Sequence, residues 1–113
     1  MPMRDGVIVV LRLGGEIDML NQPELQTALA DTLTGRPQHL VVDLAAVTFC
    51  WVQGLALLAD TAEIATASGT GYALSGLPAP IRRHVTLLWD DAFPTTYRTT
   101  AIAVSTIRAD HAG

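Results

Sequence analysis

Few side chains in this sequence are of a type and spacing that could do chemistry. Cys50 is the single cysteine and stands beside Thr48 and Phe49 at the end of an apolar run. That setting suits a small core residue better than a nucleophile, because free cysteine is commonly buried and inert. His39, His84 and His111 have no metal-ligand spacing among themselves or with Cys50. Asp18 and Asp43 are a candidate carboxylate pair, but strand ends carry aspartates for solvation alone. No Gly-rich loop has the form of a phosphate cradle, and Gly14-Gly15 is explained by a tight turn. Neither a catalytic set, nor a metal site, nor a cofactor site is expected. One stretch remains, Cys50-Trp51-Val52-Gln53-Gly54, between an apolar run and a helical one. Strand-to-helix turns are where α/β proteins usually place function, commonly with Ser, Thr, Asp or Gly. Here the turn offers Trp51, Val52 and Gln53, which suit contact rather than reaction.

The surrounding elements follow from periodicity. "GVIVVLRLGGEID" reads as a hairpin turning at Gly14-Gly15. "NQPELQTALADTLTG" reads as a helix with Leu25, Ala28, Leu29 and Leu33 on one face, Pro23 in its first turn, and a stop at Gly35 and Pro37. Asn21 and Glu24 have capping-box spacing at its start. His39 to Leu44 is nearly all apolar, as in a central strand covered on both sides. After a short loop, a helix is expected from Val52 to Ser68, with Leu55 and Leu58 buried and Leu57 and Ile64 off the main stripe. "YALSGL" is a strand, and "PAPIRRHVTLLWDD" a helix with Ile81, Val85 and Leu88 spaced for burial. Thr95 to Tyr97 is a short edge strand. A last helix starts at Thr99 or Thr100, with Ile102 and Ile107 as anchors. The order is β-β-α-β-α-β-α-β-α, which predicts an α/β fold: a mixed sheet of four to five strands with helices packed against it.

The totals limit partners. The chain has 113 residues, 50% hydrophobic and 16% charged, with a formal net charge of −4. One domain spanning residues 1–113 is expected. The absence of a basic cluster argues against nucleic acid and against an anionic membrane surface. No apolar run is long enough to span a bilayer. The short run after Asp5 reads as a strand rather than a signal-peptide core, and one cysteine suits a reducing compartment, so a cytoplasmic protein is expected. The low charge leaves apolar surface for a protein partner or for a second copy in a homodimer.

"GEIDMLNQPELQTAL", "LVVDLAAVTF" followed by "GLALLA", and "LSGLPAPIRRHVTLLWDDAFP" resemble, in order, three segments of STAS domains, the family of bacterial anti-sigma factor antagonists. The resemblance implies a small sheet with helices mainly on one face. It also implies a non-enzymatic regulator whose partner is an anti-sigma factor of the serine-kinase type. In the family the central turn reads Asp-Ser-x-Gly-Leu, and the kinase phosphorylates its serine. Gly54 and Leu55 match Gly-Leu, which places Trp51 at the aspartate, Val52 at the serine and Gln53 at the variable position. Val52 has no hydroxyl, so no phosphorylation is expected there, and Thr48 is out of register. The resemblance implies a partner face of Asp18, Met19, Trp51, Val52, Gln53, Gly54, Leu55 and Leu57. Two alternatives keep the fold: the STAS subunit of a lipid-transport ABC system, and a domain sensing a small ligand such as a nucleotide or lipid.

Overall fold

The computed structural model describes residues 7–112, with side chains through residue 110. Asp5 and the His111 side chain lie outside the described residues. The elements are β1 (Ile8–Ile17), α1 (Gln22–Thr34), β2 (His39–Cys50), α2 (Val52–Ala67), β3 (Gly71–Ser75), α3 (Ala79–Trp89), a 3-10 turn (Asp90–Ala92), β4 (Thr96–Tyr97) and α4 (Thr100–Ala112). The four strands form one sheet in the order β1-β2-β3-β4, and every neighbouring pair is parallel.

The α/β expectation holds, but the opening hairpin does not form. The expected mixed sheet is accordingly a parallel one among the described residues. Residues 8–17 are one strand, paired with β2 from Ile8 opposite His39 to Ile17 opposite Cys50. Ten residues of β1 face twelve of β2. The mismatch is absorbed by register shifts between Arg12 and Gly14 and between Gly15 and Glu16. Gly15 takes φ 75°, a left-handed value that a glycine supplies at a bulge as readily as at a turn. The local turn signal was real, but Leu11, Leu13 and Ile17 gain burial only if the chain runs on beside β2. The expected loop after Leu44 is likewise extended chain to Cys50.

β2 is covered on both faces. Leu40, Val42 and Leu44 enter the main core with Leu25, Leu29 and Leu33 of α1, Leu55, Leu58 and Ala65 of α2, and Ile81 and Val85 of α3. Val41 points the other way, onto Ala103 and Ile107 of α4. Three helices therefore cover one face and one covers the other, which is why His39 to Leu44 is nearly uninterrupted in apolar residues. Two expected anchors are misplaced. Leu88 is 55% exposed and Ile102 is 45% exposed. On α4 the stripe runs through Ala103 and Ile107, which pack on Val41, while the Ile102 N–H donates to Thr99 Oγ1 at 3.1 Å at the helix start.

The burial pattern fixes two stabilities. Leu58→Ala removes a fully buried side chain and is expected to cost about 2–5 kcal/mol in urea unfolding. Leu88→Ala is expected to stay within about 0.5 kcal/mol of the parent. Equal losses would place Leu88 in the core.

Candidate functional site

The parallel pairing brings the carboxyl ends of β1 and β2 to the same edge of the sheet. The Trp51 N–H donates to the Ile17 carbonyl at 3.0 Å, so the turn after β2 is fastened to the last residue of β1. Trp51 is extended, at φ −73° and ψ 162°, and precedes α2 without a side-chain cap. Its carbonyl accepts from the N–H groups of Gly54 and Leu55, starting the helix. No acidic residue stands in that first turn. The helix terminus is positive and uncapped, and its first side chain is Val52, 51% exposed. Gln53 is exposed beside it, while Leu55 turns into the core.

Gly54 decides how closely this turn approaches the strands. A Cβ there would stand 2.8 Å from Ile17 Cγ2, 3.0 Å from Cys50 Sγ and 3.2 Å from Trp51 Cδ1. The indole of Trp51 rests partly buried against the core, and its Nε1 donates to Gln22 Oε1 at 2.6 Å. Trp51 is thus both packed and tied to the start of α1.

The loop between β1 and α1 is held by its own side chains. Asp18 Oδ1 accepts from the N–H groups of Leu20 at 3.0 Å and Asn21 at 3.2 Å, an Asx turn. Asn21 Oδ1 accepts from the Asp18 N–H at 2.9 Å, and Asn21 Nδ2 donates to the Glu16 carbonyl. The expected capping box is therefore absent: Asn21 spends its side chain on the loop rather than on the helix. A loop braced at both ends holds two apolar side chains in water, Met19 at 67% and Leu20 at 85% exposed.

Of the expected face, Asp18, Met19, Trp51, Val52, Gln53, Gly54 and Leu55 gather at this edge. Leu57 sits elsewhere, half-buried with Ile64 along a groove between α1 and α2. Sequence reasoning missed Leu20, Gln22 and Phe49. Leu20 and the half-exposed Phe49 are large apolar residues beside polar loop or strand-end neighbours, a signal available in the sequence. Nothing local marks Gln22. Asp18 and Asp43 do not form a pair. Asp43 faces Arg12 across the register, with its Oδ2 at 3.6 Å from Arg12 Nε. Asp18 is six residues further along, about 20 Å at strand rise. Thr48 lies exposed in β2 at the second register shift, outside the helix turn.

The chemistry at this edge is quiet. Cys50 is 6% exposed, and burial pushes its thiol up from the ordinary 9.0 to about 11. The thiol is thus neutral at physiological pH, unlike a catalytic thiolate. Tyr72 is also raised by burial, and its hydroxyl donates to the Leu58 carbonyl at 2.8 Å. Among the described residues no group of His, Cys, Asp and Glu could hold a metal ion, and no helix is long and apolar enough to cross a membrane.

Gly54→Ala would ordinarily favour a helix, but the close contacts reverse the sign. A loss of about 1–3 kcal/mol is expected in thermal or urea unfolding, and a gain would show that the turn has room. Cys50 has a higher pKa folded than unfolded. The stability this neutral thiol contributes is complete below pH 9 and falls as pH rises through about 11. Iodoacetamide at pH 8 is therefore expected to alkylate the folded protein far more slowly than the urea-unfolded chain. Equal rates would mean an accessible thiol.

The family model described as "Mlab, STAS domain" matches residues 2–89. A structure of an anti-sigma factor antagonist from Mycobacterium paratuberculosis is 35% identical, with a TM-score of 0.80 over 92% of this chain and 87% of that one. Anti-sigma-F factor antagonist RsfB of Mycobacterium tuberculosis is 41% identical over 56 residues, 50% of this chain; the chain spans about half (46%) of the length of that curated relative. The anti-sigma factor antagonist SpoIIAA in its unphosphorylated form shares the fold, with a TM-score of 0.70 at 18% identity over 96% of this chain and 94% of that one. With a family model over most of the sequence and a relative of the same fold over nearly the whole of it, the chain belongs to the STAS domain family.

Proposed function

We propose that this protein is a non-catalytic binding module of the anti-sigma factor antagonist type. Its partner in this reading is an anti-sigma factor of the serine-kinase type, met in the cytoplasm. The relatives named anti-sigma factor antagonists support the role. The observation that carries the finer reading is Val52, the first residue of α2, exposed beside an apolar loop and without a hydroxyl.

Phosphoryl transfer needs an acceptor oxygen, and Val52 has none. A phosphate there would add close to two negative charges. The uncapped helix terminus would tolerate them. What is missing is the acceptor, not the environment for the product. The face therefore stays uncharged, and binding through it is constitutive. Met19, Leu20 and Val52 supply apolar contact area, and Asp18 and Asn21 keep the loop in one conformation before binding. Preorganisation of this kind reduces the ordering that association requires. Trp51 supports the face from behind, with its indole on the core and its N–H committed to Gln22. Leu57 lies outside the contact in this reading.

The test uses the kinase-type anti-sigma factor encoded in the same genome. A stable complex is expected, and incubation with that kinase and ATP is expected to leave the intact mass of this chain unchanged. Val52→Ser is expected to take up one phosphate. Leu20→Asp and Val52→Asp are each expected to weaken the complex at least tenfold, about 1.4 kcal/mol. Failure to bind any such kinase would sink the partner assignment. A phosphate on Thr48 of the unaltered chain would overturn the placing of Val52.

A further inference from the structure

A groove of about 590 Å³ runs between α1 and α2, away from the turn at Trp51. Leu29 and Leu33 line it from α1, and Leu57, Thr61 and Ile64 from α2. Small-molecule sites are of this size, roughly 300–1,000 Å³. The walls are mostly apolar, and the hydroxyls among them have their protons engaged. Thr34 Oγ1 donates to the Ala30 carbonyl at 2.8 Å, Thr61 Oγ1 to Leu57 at 2.7 Å and Ser68 Oγ to Ile64 at 3.0 Å. Each hydroxyl proton is committed to its own helix one turn back, so these oxygens can accept but donate nothing to an anionic occupant. Ile64 remains 58% exposed in one wall.

The two ends of the groove differ in charge. Gln26 stands at one end and is neutral. At the other, just past the last residue of α1, stands Arg36, on a left-handed backbone at φ 51°. Its N–H donates to the Leu33 carbonyl at 2.9 Å, which anchors that backbone to the helix end. Arg36 makes no ion pair among the described residues, where Arg12 with Asp43 is the pair formed. No Asp or Glu lines the groove, although the chain as a whole carries −4. An apolar trough closed by one cation complements an amphiphile with one anionic head and a slender apolar tail. Its length selects the tail. From Gln26 to Thr34 the helix rises about 12 Å. An extended chain of single bonds advances about 3.5 Å per three bonds, so about ten bonds fill that length. A partner helix, itself about 10–12 Å across, would need a broader bed with several separate pockets for its anchors.

We propose that this groove binds a medium-chain fatty carboxylate, its tail along Leu29, Leu33, Leu57 and Ile64 and its carboxylate paired with the Arg36 guanidinium. The site is separate from the edge at Trp51 and does not depend on the reading given there.

The experiment titrates the purified full chain with decanoate by calorimetry and by thermal melting, below the concentration at which decanoate forms micelles. Decanol, with the same tail, and acetate, with the same head, are the controls. Saturable binding of decanoate and a raised melting temperature are expected, with acetate silent and decanol at least tenfold weaker. Arg36→Asn keeps a residue suited to left-handed backbone and is expected to weaken decanoate at least tenfold while leaving decanol unchanged. Ile64→Glu, at an exposed position, places an acid in the wall and is expected to abolish both. Should Ile64→Glu fail to fold by circular dichroism, Arg36→Asn decides alone. No binding of decanoate, equal binding of decanol, or indifference to Arg36→Asn would each overturn the proposal.

Discussion

The parallel pairing of β1 with β2 along their whole length is the constraint on which the rest of this molecule depends. Parallel strands end at the same edge. Here that puts the loop after β1 beside the turn after β2, and the Trp51 N–H closes the gap with a hydrogen bond to Ile17. If β1 had turned back at Gly14-Gly15, Asp18 would have run back along the strand, about 10 Å from the turn, and away from Val52. The two register shifts let ten residues keep pace with twelve, so that Ile17 and Cys50 end level.

That shared edge is then made rigid by interactions that carry no function of their own. Gly54 lets the first turn of α2 settle on Ile17 and Cys50, where any side chain would push it away. Trp51 reaches sideways to Gln22, and Asp18 and Asn21 brace the loop from within. The side chains of Asp18, Asn21, Gln22 and Trp51 are thus occupied within this region. Met19, Leu20, Phe49 and Val52 are left facing solvent beside Gln53, so this edge exposes an unusual share of large apolar groups. Burial of Cys50 completes the picture by keeping the nearest nucleophile neutral.

The two faces of α2 have different tasks. Its first turn meets the strand ends, whereas Leu57, Thr61 and Ile64 face α1 across a groove. The serine and threonine hydroxyls along that groove donate back to their own helices, so the wall between the leucines offers acceptors but few donors. Composition alone therefore misstates the hydrogen-bonding capacity of this surface, because a hydroxyl that has given its proton to its own helix is left to act only as an acceptor.

The sequence by itself determined the four helices, the heart of β2 and most of the core. Leu25, Leu29 and Leu33 recur at helical spacing, His39 to Leu44 is apolar throughout, and both patterns are set by local periodicity that packing merely confirms. Val52 as the first residue of a helix, and a neutral turn where a hydroxyl would be expected, were legible for the same reason. Tertiary structure decided what depends on partners distant in the chain. Gly14-Gly15 suits a bulge as well as a turn, and only the burial of Leu11, Leu13 and Ile17 beside β2 chooses between them. Asn21 has the spacing of a cap, but Asp18 and Glu16 compete for its side chain and win it. Leu88 and Ile102 have core spacing on helices whose buried stripe is narrower than the pattern allows, since Trp89 with Phe93, and Ala103 with Ile107, make the packing contacts at those ends. Gln22 could not have been foreseen, because its one hydrogen bond to Trp51 spans 29 residues of chain. Local physics sets which residues rise into helices and strands; long-range geometry sets which of their side chains are left to meet anything else.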